Sequence, residues 1–285
     1  MNQKIAILTD SSSSVYAQKH SYEHLFMIDL PCFLGEETFT NFEKNQDEPF
    51  FTALSKSKLV PKTSQPSVGE MLEKYNQIKK LGYTHIIFLP ISRELSGTFQ
   101  NAHLAKEIIK GIEVIIVDTL TTASILLHMA LEAAKQVSEG KGVEEVLAHV
   151  EKIKSSWGYY LTVNDLSALI KNGRLSNAKG FVANILRIKP VIHFNREGKL
   201  VAIQNVRTFK SALLAAFEKI LPEIDPENGI VHLSCGTNEE DVQMAYQMIR
   251  EKLPHVVVEQ FRLPATIVAH VGLTAIGLGY INPHS

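Results

Sequence analysis

The chain has 285 residues, 45% hydrophobic and 21% charged, with a formal net charge of −1. That length exceeds what one hydrophobic core fills, so two domains sharing a cleft are expected, and the apolar content is enough to fold both. Near-neutrality removes any overall electrostatic pull toward nucleic acid or an anionic membrane, so recognition by charge has to be local.

The opening MNQKIAILTD lacks the apolar run of a secretory signal and enters a strand directly, which points to the cytoplasm. Residues 4–8 form a short apolar run that ends in the hydroxyl-rich turn Thr9, Asp10, Ser11, Ser12, Ser13 and Ser14, the pattern of a strand feeding a polar loop. His20 and His24 stand i, i+4 apart, but with no third ligand in view they read as solvated surface histidines rather than a metal site. Residues 31–62, broken by Pro31, Gly35, Pro49 and Pro61, are expected to form an irregular excursion packed on the first domain. Thr63-Ser64-Gln65-Pro66-Ser67 then precedes a helix over 68–80, with Ser67 and Glu70 spaced as a capping box. The strand-to-loop pattern recurs at 85–90 before Ile91, Ser92 and Arg93, and a helix follows over 95–109 with Ser96 as a candidate N-cap. It recurs again at 114–117 before Asp118 and Thr119, followed by a helix over 122–137.

Continuous apolar strands alternating with helices indicate a parallel sheet covered on both faces. The polar loops then gather at its carboxyl edge, where such folds place ligands. A helix over 143–154 leads to Trp157 and the run 159–163, where the rhythm changes. The expected architecture is α/β: a three-layer domain with a mostly parallel sheet over 1–157, a mixed α/β domain over 158–285, and the ligand between them. In the second domain, 189–194, the turn Asn195-Arg196-Glu197-Gly198 and 199–206 form an antiparallel hairpin. A helix over 210–221, a strand over 230–234, a helix over 239–252 and a strand over 256–261 complete the series. Residues 265–281 carry no charge, yet Thr266, His270, Gly272, Thr274, Gly277 and Gly279 interrupt them too often for a membrane span, so they read as buried helix and strand. Gly277-Leu278-Gly279, far from a leading strand, is assigned to helix packing. Cys32 and Cys235 are read as two buried thiols outside any disulfide or zinc spacing.

There is no G-x-x-x-x-G-K-[ST] phosphate loop and no G-x-S-x-G elbow. What remains is hydroxyl groups at helix starts. Each alone is an ordinary cap; converging on one sheet edge, they make an anion site without a fixed positive charge. Between Asp165 and Glu197 no acidic residue occurs, whereas Lys171, Arg174, Lys179, Arg187, Lys189 and Arg196 do. A solvated face accounts for such a run; near a cleft it also suits an acidic partner or a phosphorylated head group, and few aromatics interleave to favour nucleic acid.

ILTDSSSS, TSQPSVGE, SRELSGTFQNA, the VDT strand end, KNGRLSNAKG, RIKPVIHF, the Asn-x-Arg-Thr of 205–208 and IVAHVG together resemble the DegV family, in order and over essentially the whole chain. Asp118-Thr119-Leu120 departs from a frequent Asp-Ser-Lys, and Asn172-Gly173 from a common Gly-Gly. The resemblance implies a non-catalytic, fatty-acid-binding protein similar to the binding subunit of bacterial fatty acid kinase. Its bound ligand is a long-chain fatty acid, with no cofactor, and its partner is the kinase catalytic subunit. It implies that Thr63 and Ser96 hold the carboxylate, that His270 and Arg174 stand near the same head group, and that Arg207 meets the kinase. A buried carboxylate needs several hydrogen bonds to offset desolvation. For the acyl chain, Phe88, Phe99, Ile125, Leu126, Phe181, Leu186 and the apolar tail are candidates, each methylene contributing about 0.8 kcal/mol. Two other readings remain open: a lipid-responsive sensor without phosphoryl transfer, and an enzyme acting on a small carboxylated metabolite, although no nucleophile pairs with a recognisable base. Neither nucleic acid nor stable membrane insertion is expected.

Overall fold

The computed structural model describes residues 3–42, 47–180 and 188–283. β1 (Ile5–Asp10) is buried at every position, as a strand covered on both faces must be. β2 (Leu25–Ile28) follows, then β3 (Cys32–Leu34), β4 (Glu37–Phe39), α1 (Asp47–Lys56) and β5 (Lys62–Thr63). α2 (Val68–Lys80), β6 (His85–Leu89), α3 (Thr98–Ile108), β7 (Glu113–Ile116), α4 (Ala123–Ser138) and α5 (Val143–Ser155) complete the first half. Its four-stranded sheet has the order β2-β1-β6-β7 and is parallel throughout. Alternate β1 side chains face opposite ways: Ala6 and Leu8 pack against α2 and α3, Ile5 and Ile7 against α4 and α5. These are the three expected layers.

The described residues of 31–62 hold regular elements where an irregular excursion was expected. β3 pairs antiparallel with β4 on one side and β5 on the other, and α1 caps this small sheet. Strands of two or three residues are too short to show alternation, which is why the prolines dominate the sequence reading. The pairing of Cys32 with Thr63 has a consequence for the site, because it delivers the Thr63 side chain to a defined place.

The second half contains β8 (Trp157–Thr162), α6 (Ser167–Lys171), β9 (Lys189–Phe194), β10 (Leu200–Val206), α7 (Phe209–Ile220), β11 (Ile230–Cys235), α8 (Glu239–Lys252), β12 (Val257–Arg262), α9 (Ala265–Val271) and β13 (Ile276–Ile281). They build a six-stranded mixed sheet of order β10-β9-β8-β13-β11-β12. The expected hairpin is present, with a register shift between Ala202 and Gln204. One face of this sheet packs on α7 and α8 through Tyr160, Leu233, Leu278 and Tyr280. The other carries Tyr159 and Leu161 into the core shared with α4 and α5.

Gly277 and Gly279 lie on β13, where they admit a neighbouring tyrosine, and at Gly279 the expected helix contact is also made, with Ile125 of α4. A Cβ at Gly277 would collide with the Tyr159 ring and hydroxyl, and one at Gly279 would lie 2.8 Å from Tyr159 Cδ2. Two glycines at i, i+2 clear one face of β13 for a neighbouring ring. Cys32 is fully buried as expected; Cys235 is only half-buried, and both thiols are free. His20 is exposed, whereas His24 is half-buried with Nε2 2.8 Å from the Ala134 carbonyl oxygen. Among the described residues no helix is long and apolar enough to cross a membrane, and no group of three or more His, Cys, Asp or Glu is placed to hold a metal ion.

Candidate functional site

The carboxyl edge of the parallel sheet faces α9 and the β8–β10 part of the mixed sheet across a cleft. Leu30, Ile91, Leu95 and Ser96 reach it from loops after β2 and β6, Thr63 and Ser64 from β5 onward, and Thr122 and Ala123 from the start of α4. Tyr159, Leu161, Leu169, Arg174, Phe194 and Leu200 close the opposite side, and Leu263, Thr266, Ile267, His270 and Val271 come from α9 and its approach. The walls are mostly apolar, with a few convergent polar groups, as small-ligand sites are built. Four of the five residues singled out from the sequence, Thr63, Ser96, His270 and Arg174, meet here. Arg207 does not; it stands exposed between β10 and α7 and forms no ion pair with a described residue.

The polar end can be read atom by atom. Asn172 Nδ2 lies 3.0 Å from the Pro61 carbonyl oxygen, which only accepts, so this atom is the amide nitrogen. The same nitrogen is 3.2 Å from His270 Nδ1, and having no lone pair to offer it donates there. A neutral imidazole that accepts at Nδ1 carries its proton on Nε2, 2.8 Å from Thr63 Oγ1. Thr63 therefore accepts from His270, and its own hydroxyl proton is left to donate into the cleft. The ring stays neutral, because burial and then the positive charge of Arg174 push its pKa down to about 4. Arg174 Nη1 donates to the Asn172 carbonyl oxygen at 2.7 Å, while its buried Nε has no hydrogen-bond partner among the described residues. One Asn thus orients both the histidine and the arginine.

Ser96 is not the N-cap of α3. Gly97 occupies that position, and Ser96 Oγ instead accepts from the Thr98 amide at 3.3 Å and shares a 2.8 Å hydrogen bond with Thr98 Oγ1. The amides of Leu95 and Ser96 turn back to the Ser92 carbonyl oxygen, which delays the helix to Thr98. By contrast, Ser67 and Glu70 form the capping box their spacing implied. The hydroxyls of residues 9–14 do not line the cleft; they stitch the sheet edge together. Asp10 accepts from Ser12 N, Ser12 Oγ and Ile91 N at 3.0, 2.6 and 2.7 Å, and Ser11 Oγ accepts from Leu30 N at 2.9 Å. They hold Leu30 and Ile91, which do line it.

Among the lining residues that escaped the sequence reading are two threonines. Thr122 Oγ1 and Thr266 Oγ1 are buried without a hydrogen-bond partner among the described residues, a state that is costly without a ligand-facing role. Positive φ at Leu120 and Ala123, 58° and 53°, marks the same loop, but a strained backbone leaves no trace in residue type here. The acyl-chain candidates Phe88, Phe99, Ile125 and Leu126 are not among the lining residues. Phe88 is buried against α2 and α3 on the far face of the sheet, and Phe99 packs on His103. Ile125 and Leu126 are buried in the shared core, and Phe181 and Leu186 lie outside the described residues. The apolar tail does contribute, through Ile267 and Val271. The basic run disperses: Arg174 turns into the cleft, Lys189 Nζ donates to the Asn164 carbonyl oxygen at 2.6 Å, and Lys171, Lys179 and Arg196 are exposed, while Arg187 lies outside the described residues.

Neutral buried histidines make stability fall with acid. His232, buried on β11, is held at about 3 by burial and by His128, alongside His270 at about 4. Below the unfolded value of about 6.5 the unfolded chain takes up protons these rings refuse, and each contributes a loss of about 1.4 kcal/mol per pH unit. Asp10 acts in the opposite sense, because burial raises it to about 6 and the folded state gains its proton first. As pH falls from about 6 toward about 4, His232 and His270 thus lower stability and Asp10 raises it, with His128, also held low by burial, on the first side and Asp29 and Asp47, held high by burial, on the second. Across that range the urea midpoint of His232→Gln should decline less steeply with acid than that of the unaltered chain; identical slopes would contradict the assignment.

Residues 4–282 match the model of a protein family described as "Uncharacterised protein, DegV family". A DegV domain-containing protein of Staphylococcus aureus (strain N315) is 31% identical over 286 residues, covering 98% of either chain. The solved structure of a fatty acid binding DegV family protein from Streptococcus agalactiae aligns with a TM-score of 0.87 at 27% identity, covering 98% of this chain and 99% of that one. The Streptococcus pneumoniae fatty acid kinase B3 protein, solved loaded with linoleic acid, aligns with a TM-score of 0.83 over 98% of this chain and 100% of that one. At 19% identity the last likeness is one of fold.

Proposed function

The chain belongs to the DegV family, and from that premise we propose that it binds a long-chain fatty acid in the cleft, acyl chain buried and carboxylate held by Thr63 and Ser96 near Arg174 and His270. The observation that carries this reading is the chain Asn172 to His270 to Thr63, which leaves one hydroxyl proton to donate in a mostly apolar cleft that Arg174 also lines. A neutral imidazole, a hydroxyl donor and a guanidinium suit an anionic head group. Residues 1–157 and 158–285 are taken as the two domains, the parallel sheet in one and the mixed sheet in the other. The reading places the protein in the cytoplasm and requires no cofactor.

Protein purified from bacterial cells should carry fatty acid detectable by organic extraction and mass spectrometry. Stripping it should lower Tm, because a ligand that binds only the native state stabilises it. Repeated absence of any acyl chain, with no thermal shift on adding palmitate or oleate, sinks the proposal.

Presentation of the carboxylate to a kinase subunit is the finer part of the proposal. Its support is the resemblance carried by residues 205–208 together with the exposure of Arg207, a cation turned to solvent rather than to the cleft. Arg207→Ala should leave bound lipid and Tm unchanged while slowing acyl phosphate formation with the kinase about tenfold, as loss of an interfacial arginine does. An unchanged rate across binding-protein concentrations refutes the role. A sensor that reports bound lipid without phosphoryl transfer would show lipid binding with no such rate. Turnover of a soluble carboxylated metabolite would favour the enzyme reading.

A further inference from the structure

Two cavities meet at one pair of rings. Beside the cleft lies a second cavity, open to solvent, whose walls include the rings of Trp157, Tyr160, His193 and Tyr280. Tyr159 and Phe194 line both cavities. Their rings pack edge to face, with centroids 6.0 Å apart and planes at 78°, and both residues are buried. The separation between the cavities is therefore one layer of side chain thick at this point. There Glu223 accepts from the hydroxyls of Tyr280 at 2.8 Å and Tyr160 at 3.3 Å, and Lys154, Asn195 and Arg196 also line this space.

Strand register puts this pair away from the polar end. β13 follows directly on α9, which carries His270, and begins with Ile276 opposite Thr162. Tyr159 is opposite Gly279, three residues further along β13, or about 10 Å at the rise of a strand. The glycines at 277 and 279 leave space on that face of β13, and the Tyr159 ring fills it.

Resting on the reading that the cleft takes a fatty acid, we propose that Tyr159 and Phe194 form the end stop that sets acyl chain length. The second cavity beyond them is the space a longer chain would enter if the stop were removed. In the full chain freed of lipid, affinity for a homologous series of saturated fatty acids should rise about fourfold per methylene until the chain reaches the stop, then cease to rise. Phe194→Ala should move that break to longer chains and raise affinity for acids just beyond the wild-type break by about tenfold, less than the worth of two methylenes. A folded Phe194→Ala protein whose break has not moved overturns the end stop. Should the variant fail to fold, the wild-type protein decides. A fatty acid of its preferred length bearing a diazirine at the terminal carbon should crosslink to Tyr159 or Phe194, and crosslinks confined to other residues overturn the proposal. Absence of saturable binding by every acid tried overturns the binding reading itself and the inference with it, whereas binding with an unmoved break overturns the end stop alone.

Discussion

Gly277→Val is expected to lower the stability of the folded chain by about 3 kcal/mol or more, at or beyond the upper end of what overpacking usually costs. β13 is an interior strand, paired with β8 on one side and β11 on the other, so it cannot move away without breaking a ladder. The Tyr159 ring is hemmed in on this side, since Phe194 lies against its edge and Ile125 Cδ1 lies near the same face of the strand at Gly279. Valine favours strands, so backbone preference works against the expected loss and the effect isolates the collision. Urea denaturation of Gly277→Val, Tyr159→Ala and the double variant gives the test. The penalty of valine should fall to a small fraction in the Tyr159→Ala background, and strict additivity would show that the ring is not what the glycine accommodates.

Thr63→Val is expected to weaken fatty acid binding by about 5- to 150-fold, corresponding to about 1–3 kcal/mol for removing a hydrogen bond to a charged or buried acceptor. Valine keeps the branched shape but removes both the acceptor for His270 Nε2–H and the proton available to the carboxylate. Thr63→Ser should retain most of the affinity. Ser96→Ala should also weaken binding, by less, because its oxygen already serves Thr98. If Thr63→Val unfolds while the surviving folded fraction binds normally, Thr63 is a structural residue of the small sheet and the head group lies elsewhere.

Legibility follows the range of the interactions involved. The parallel strands declare themselves because both faces are buried, and a short apolar run such as residues 5–8, closed by a polar turn, suits a covered strand better than a helix. α8 was readable to its last residue: Asn238 caps it by accepting from the Glu240 and Asp241 amides, and three acidic side chains occupy its first turn. The Ser67 and Glu70 box and the hairpin through Asn195 to Gly198 are equally local. Ser96 shows where local reasoning stops. A serine before a helix looks like a cap, but the turn back to the Ser92 carbonyl oxygen delays the helix, and that choice is made by the loop's packing rather than by residue type.

The sequence by itself determined the α/β class, the order of nearly all the long elements and, through the resemblance, four residues that the fold brings to one cleft. Only the tertiary structure decided what those residues do for one another. The small sheet that sets Thr63 beside Cys32 is built from strands too short to carry a periodicity. His270 acquires its tautomer from Asn172, 98 positions away, and passes it to Thr63, 207 positions away. Gly277 and Gly279 carry no side chain that could announce the tyrosine lying over them. In each case the deciding contact joins residues distant in sequence, and the free energy that selects it comes from burial and hydrogen-bond satisfaction in the assembled chain, which local pattern does not encode.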